Sequence, residues 1–188
     1  AFKGDLIVLA YGLGLMRFFT VAAALDTGSS FEGMGASREV HFSALAEPVL
    51  LIGLAVAARL GGSASLSGIF QGITPATWSV SGTALALVAV ALVIVLLAEN
   101  SRIPVDDPNT HLELTMIHEV MILDYSGPDL ALILYAASLK LWIFGALVVN
   151  LLLTLTGWTG AVQMAAFAAG MLVLAFVGVM AFSPGFRE

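Results

Sequence analysis

Residues 98–129 read AENSRIPVDDPNTHLELTMIHEVMILDYSGPD, and this stretch decides how the rest of the chain is read. Of 188 residues 60% are hydrophobic and only 11% charged, yet eight of the twenty charged side chains fall between Glu99 and Asp129. Outside that stretch the chain is dominated by long apolar runs. A soluble domain is usually about 45–50% apolar; a mean hydropathy of +1.01 places this chain among integral membrane proteins.

A bilayer core about 30 Å thick is crossed by roughly 20 apolar residues of helix. Working outward from the charged stretch, 81–98 lies immediately before it, 6–25 and 43–60 lie upstream, and 130–155 and 161–182 lie downstream. Backbone groups in lipid must be satisfied within the segment, so these runs are expected to be helices. The predicted fold is all-α: a polytopic transmembrane helix bundle, one membrane domain over 1–188, with about five spans and a structured charged loop, 99–129, before the fourth. Two spans separate the loop 26–42 from the loop 99–129, so both face one side. The Gly/Ser-rich connection 61–80 and the short turn 157–160 face the other, with Trp78 and Trp158 placed for an interfacial aromatic belt. Arg38, Arg102 and Arg187 stand on the charged-loop side against Lys3 and Arg59, so the positive-inside rule puts the charged loops in the cytoplasm. In the last span Ala161, Ala165 and Ala169, beside Ala166 and Gly170, are spaced for close helix packing.

Composition removes several functions. With no cysteine the chain cannot form a disulfide, a thiolate zinc site or an iron–sulfur cluster of its own. A net charge of −6 without a basic patch argues against nucleic-acid binding. On one helix His111 and His118 would stand about 10.5 Å apart, too far to share a metal that each must reach at about 2 Å. His118-Glu119 begins like a zinc-protease motif, but Ile122 occupies the place of its second histidine. No metal site is expected, and histidines in or beside loops do not make a haem pair. The chain has neither an internal repeat nor paired Gly/Pro-broken spans, which argues against an autonomous ion or solute transporter.

What remains is a set of charges where lipid should be. Arg17 lies mid-way along the first span and Lys140 along the fourth, at a cost of roughly 2.5–3.5 kcal/mol each on insertion scales. Glu47 follows the start of the second span beside Pro48, which is tolerated there if it lies in the first turn; Glu99 closes the third. Such groups point to a polar path inside the bundle, or to structural ion pairs such as Arg17 with Glu47. Pro104 and Pro108 keep the loop's entrance extended. A helix is predicted from Thr110, where Glu113 completes a capping box, to Leu123, ended by the turn residues after Asp124. Glu113 and Asp124, nearly three turns apart, share a face; Glu119 points about a third of a turn away.

These residues carry a recognisable pattern. Ala98-Glu99, Arg102, Pro104, Asp106, Pro108, Glu113-Leu114 and Tyr125-Ser126-Gly127 resemble the signature loop of the subunit 1 family of respiratory complex I. Upstream, Arg38 stands nine residues before Glu47, as the family's arginine and glutamate do. The wording IPVDDP (103–108), THLELTMIHE (110–119) and DYSGPD (124–129) is closer to the hydrogenase branch: the membrane anchors of formate hydrogenlyase, hydrogenase-4 and energy-converting [NiFe] hydrogenases. The family is longer than this chain, which looks like spans three to seven of eight. Asn109 and His111 replace glutamates of the complex I pattern and Asp124 replaces another, which weighs against a quinone tunnel.

The resemblance implies a subunit with no catalytic residue and no cofactor of its own. Its loop, with Arg38, Arg102, Asp106, Asp107 and Tyr125, would dock soluble hydrogenase large and small iron–sulfur subunits, which carry the clusters and the [NiFe] centre. Glu47, Glu99, Glu113, Glu119, Asp124, Lys140 and Arg17 would begin a proton or sodium path toward antiporter-like membrane subunits, in the inner (plasma) membrane. The alternatives are a quinone-site subunit of a complex I-like NADH dehydrogenase, and an anchor whose buried charges only pair.

Overall fold

The computed structural model describes residues 4–100 and 117–180, with side chains to residue 176. Among these residues every regular element is a helix. The first, α1, spans Asp5–Asp26. Its 22 residues reach about 33 Å at 1.5 Å per residue, enough to cross the hydrocarbon core. Gly4, at φ 98°, turns the chain into it, and Gly28, at φ 69°, turns it out.

The second helix, α2, runs Ser30–Gly61 and corrects the sequence reading, which treated 26–42 as a loop. Its 32 residues measure about 48 Å, so its first turns extend beyond one bilayer thickness or run tilted. The segment 30–42 holds no proline, and Glu32, Gly35, Ala36 and Glu39 are buried on the face that continues through Ser43, Ala46, Leu50, Gly53, Leu54 and Ala57. That is a helical stripe of small and polar residues, and the charges within it disguised a helix as a loop. Pro48 is consequently interior rather than first-turn, and it leaves the carbonyl of Ala44 without its helical N–H partner. Gly62, in the left-handed region, ends α2, and the carbonyl of Ala58 accepts the N–H groups of Gly62 and Ser63.

The Gly/Ser-rich connection folds back as a short helix, α3 (Leu66–Gly72). A Cβ on Gly72 would stand 2.0 Å from the Gly61 carbonyl oxygen, so only glycine permits this approach. Asp5 accepts the Leu66 N–H at 2.8 Å and the Ser65 hydroxyl at 3.1 Å, tying the start of α1 to α3.

Helix α4 (Pro75–Glu99) opens with proline in its first turn and a Thr74–Thr77 capping box, and it kinks at Ser81, where the sequence reading began the third span. The Trp78 indole N–H donates to the Thr154 hydroxyl at 2.8 Å, fastening this end of α4 to the end of α6 (Gly127–Leu153). Between α4 and α6 lies a one-turn helix, α5 (His118–Met121); α7 (Gly160–Met180) follows α6. The predicted helix from Thr110 is therefore seen only in α5. Its start, Arg102, Asp106, Asp107, His111 and Glu113 lie outside the described residues.

Helices α1, α2, α4 and α6 are each long and apolar enough to cross a membrane, and α7 adds a shorter apolar stretch, Gly160–Phe176. The chain is thus an all-α polytopic bundle. Helix α2 is its hub, packing on α1, α3, α4 and α5, while α6 joins α4 to α7. The main core, including Leu13, Leu50, Leu85, Leu92 and Phe144, fills the space between α1, α2, α4 and α6. Large apolar side chains such as Tyr11, Leu15, Phe18 and Ile94 face outward, as in a helix bundle whose surroundings are lipid or partner helices.

A second, smaller core forms where α5 docks: Ala24, Ala36, Ile117 and Met121, edged by Val21, Phe42 and Ile122. Gly35 makes the contact possible, because a Cβ there would lie 3.0 Å from the Ile117 carbonyl oxygen and 3.0 Å from Met121 Cγ. The described end of the charged stretch therefore rests on the first turns of α2, through apolar packing and one buried carboxylate.

Candidate functional site

The intramembrane charges converge on one residue. Arg17, on α1 and only 8% exposed, sends Nη1 to Glu47 and Nη2 to Glu99, both as hydrogen-bonded ion pairs. Its Nε lies 3.9 Å from Glu39, and Lys140 Nζ lies 3.9 Å from the second oxygen of Glu99. Four helices thus contribute one charged cluster: α1, α2, α4 and α6. Gly14, one turn before Arg17, leaves room for Glu47; a Cβ there would already touch Glu47 Oε1 at 3.4 Å.

The cluster is graded in burial. The Glu99 side chain is 2% exposed, Glu39 9% and Lys140 15%, whereas Glu47 is 48% exposed. A buried charge is tolerated only when paired and hydrogen-bonded, which explains why Arg17 and Glu99 hold each other. Glu99 Oε2 is buried and accepts no hydrogen bond among the described residues.

Cavities flank this cluster. One of about 330 Å³ lies between α1, α2, α5 and α6; its apolar walls include Met16, Phe19 and Ile133, and its polar groups are Arg17, Thr20, Glu39, His118, Tyr125 and Lys140. On the α1–α2 seam, a space of about 300 Å³ is lined by Arg17, Ser43, Ala44 and Glu47. Beside it a groove of about 710 Å³, lined by Tyr11, Phe18 and Leu51 among others, holds Glu47 as its one charged residue. Arg17 lines both smaller spaces, and Glu47 lines both spaces on the seam.

Of the residues singled out from sequence, Arg17, Glu47, Glu99 and Lys140 come together. Asp124 is exposed just beyond α5, and its backbone N–H, rather than its carboxylate, makes the contact, donating to Glu32 Oε1 at 2.9 Å. The Tyr125 hydroxyl donates to the Ala23 carbonyl at 3.0 Å, holding the start of α6 against α1. Glu119 lies partly buried on α5 and Arg38 partly buried on α2. Two carboxylates escaped the sequence reading: Glu39, in the cluster, and Glu32, wholly buried beneath α5. Their signal was the seven-residue spacing within the buried stripe of α2, legible only once 30–42 is read as helix.

Among the described residues no three His, Cys, Asp or Glu side chains are placed to hold a metal ion. The site pairs buried charges from four helices, and cavities adjoin it.

These features define a membrane helix bundle with a buried cluster of charges, and residues 1–187 match the family described as NADH dehydrogenase. The chain belongs to that family and is one of its complex I subunit 1-like membrane proteins. It is 36% identical over 175 residues to formate hydrogenlyase subunit 4 of Escherichia coli (strain K12), covering 93% of this chain and 53% of that protein. It is 39% identical over 150 residues to hydrogenase-4 component C of the same organism, covering 80% of this chain and 46% of that protein. The chain therefore spans about half the length of these curated relatives. No solved structure matches it significantly.

Proposed function

We propose that this chain is the membrane anchor and ion-coupling subunit of a membrane-bound [NiFe] hydrogenase of the formate hydrogenlyase type, in the plasma membrane with its charged segments in the cytoplasm. The observation that carries the reading is the Arg17 cluster. A bundle that needed only to anchor would fill this space with apolar side chains, whereas here two cations and three carboxylates meet between cavities. The names of the relatives favour a hydrogenase complex over other assemblies.

In this reading the segment around α5, locked onto α2 by Glu32 and Gly35, belongs to the platform that receives the soluble iron–sulfur and hydrogenase subunits. A redox event in those subunits moves the platform, and the movement reaches the cluster through α5, His118 and the shared cavity. Proton or sodium transfer then continues toward antiporter-like membrane subunits. The clusters and the [NiFe] centre belong to the partners.

Replacing Glu47 by Gln tests this. It removes one titrating group while keeping shape, and the half-exposed position limits the structural cost. The complex should assemble and reduce an artificial dye, while ion movement into everted vesicles falls. Undiminished ion movement would place the path elsewhere, and failed assembly would make Glu47 structural.

One observation favours the quinone-site alternative: the cavity of about 330 Å³ pairs apolar walls with His118 and Tyr125. A photoreactive quinone that labels neither α5 nor the start of α6 would remove that reading.

A further inference from the structure

We propose that the outward-facing groove between α1 and α2 seats a transmembrane helix of a neighbouring subunit, and that this helix carries a lysine or arginine which pairs with Glu47. The inference rests on the reading above only in placing the chain inside a membrane complex; it adds the docking face and the chemistry of the occupant.

The shape of the groove, about 710 Å³ in volume, follows from the sequence of α1. Ile7, Tyr11 and Leu15 recur every fourth residue and stand exposed as one ridge, whereas Ala10 and Gly14, each one position earlier, are half-buried beside it. Leu51 on α2 is the opposite lip. Rows four residues apart are the ridges and furrows by which helices interdigitate, and small residues along a furrow let a second backbone approach closely. The groove therefore has the form of a helix seat.

Shape alone would also suit acyl chains, and Glu47 decides between the occupants. It is the one charged residue of the groove and 48% exposed, and among the described residues its carboxylate is held only at Oε1, by Arg17 Nη1. It lies fourteen residues before Gly61, the end of α2, and Arg17 lies twelve after Asp5, the start of α1. Those distances are about 21 and 18 Å along the two helices, well inside a hydrocarbon core about 30 Å thick. A carboxylate open to lipid at that depth is costly unless a partner satisfies it. Acyl chains offer neither a donor nor a charge, and a head-group amine stays at the interface.

The cluster itself does not supply the missing charge. Arg17 is divided among Glu39, Glu47 and Glu99, and Lys140 stands 3.9 Å from Glu99. Among the described residues two cations thus serve three carboxylates, and Glu47 is the most exposed of the three. A basic side chain on an otherwise apolar helix meets both requirements: its stem lies along the apolar lips and its N–H groups face the free oxygen of Glu47. Pairing of this kind is how ionisable groups are tolerated between membrane helices.

The test places a photoreactive phenylalanine analogue at Leu15 or Leu51 of the full-length subunit, irradiates native membranes holding the complex, and identifies the captured peptides by mass spectrometry. Both positions should capture one membrane segment of another subunit, about 20 apolar residues long and interrupted by a lysine or arginine, whereas Leu172, exposed on α7, should not. A captured segment without a basic residue, a segment of the same polypeptide, or lipid alone overturns the inference, as does equal capture from Leu172. Glu47→Lys should lower capture about tenfold or more, because like charges brought together in an interface are strongly disfavoured, and reversing the partner's basic residue to glutamate should restore it. Undiminished capture in Glu47→Lys overturns the pairing. If that variant does not accumulate in the membrane, the segment captured with Glu47 intact decides the inference by itself. Hydrogenase subunits that copurify beside crosslinks to lipid alone would overturn the docking inference and leave the proposed function standing; a basic helix captured without them would do the reverse.

Discussion

Arg17→Met is the sharpest test of how the bundle is held together. Methionine keeps the length and apolar stem of arginine but abandons three carboxylates. Among the described residues the Glu99 side chain, 2% exposed, would keep only Lys140 at 3.9 Å, and Glu39, 9% exposed, would lose its contact with Arg17. Removing one partner of a buried pair costs about 3–5 kcal/mol, because the other charge is left uncompensated. Glu47, half exposed, adds only about 0–1 kcal/mol. The cost thus comes mainly from Glu99, and Glu99→Gln introduced into Arg17→Met should restore about 1–3 kcal/mol, within the coupling energies measured for contacting residues. Unfolding of the full-length protein in mixed micelles, titrated with a denaturing detergent, measures all members of the cycle. A single variant within about 1 kcal/mol of wild type, far below the cost of a broken buried pair, would refute the claim that Arg17 is the counter-charge of Glu99. Strictly additive effects in the double variant would refute it equally.

Three further outcomes follow from local geometry. Gly35→Val should expel α5, since its Cβ would start 3.0 Å from a backbone oxygen; faster proteolysis around 117–125, with the membrane helices intact, would show this. Glu32→Ala leaves the Asp124 N–H without its acceptor and should cost about 1–2 kcal/mol, read as faster hydrogen exchange at Asp124, whereas Glu32→Gln should be nearly silent. Gly72→Ala puts a methyl group 2.0 Å from the Gly61 carbonyl and should destabilise by about 1–3 kcal/mol or more as overpacking, seen as a lower unfolding midpoint.

The helices in lipid were legible because hydropathy alone marks them, and Arg17, Glu47, Glu99 and Lys140 stood out because charge in an apolar run has to be explained. Charge also misled. Treating 30–42 as a loop hid Glu32 and Glu39, although Glu32, Glu39, Ser43 and Ala46 keep helical phase, and it moved Pro48 from a helix interior to a helix start. The seven-residue helix α3 and the kink at Ser81 depend on contacts that no local pattern announces: the close approach of Gly61 and Gly72, and the capping of Leu66 by Asp5 from sixty-one residues away. That Arg17 is shared by three carboxylates is a tertiary fact, since its partners lie on two other helices.

The central claim is that this subunit belongs to a hydrogenase complex whose soluble arm it anchors. Its most direct test is to purify the affinity-tagged full-length protein from native membranes in mild detergent and identify by mass spectrometry what comes with it. The account predicts a hydrogenase large subunit and its iron–sulfur small subunit in equal amounts with the tagged chain, both lost in Gly35→Val. Recovery of the chain alone, or with a flavin-bearing NADH-oxidising arm and no hydrogenase, would contradict it.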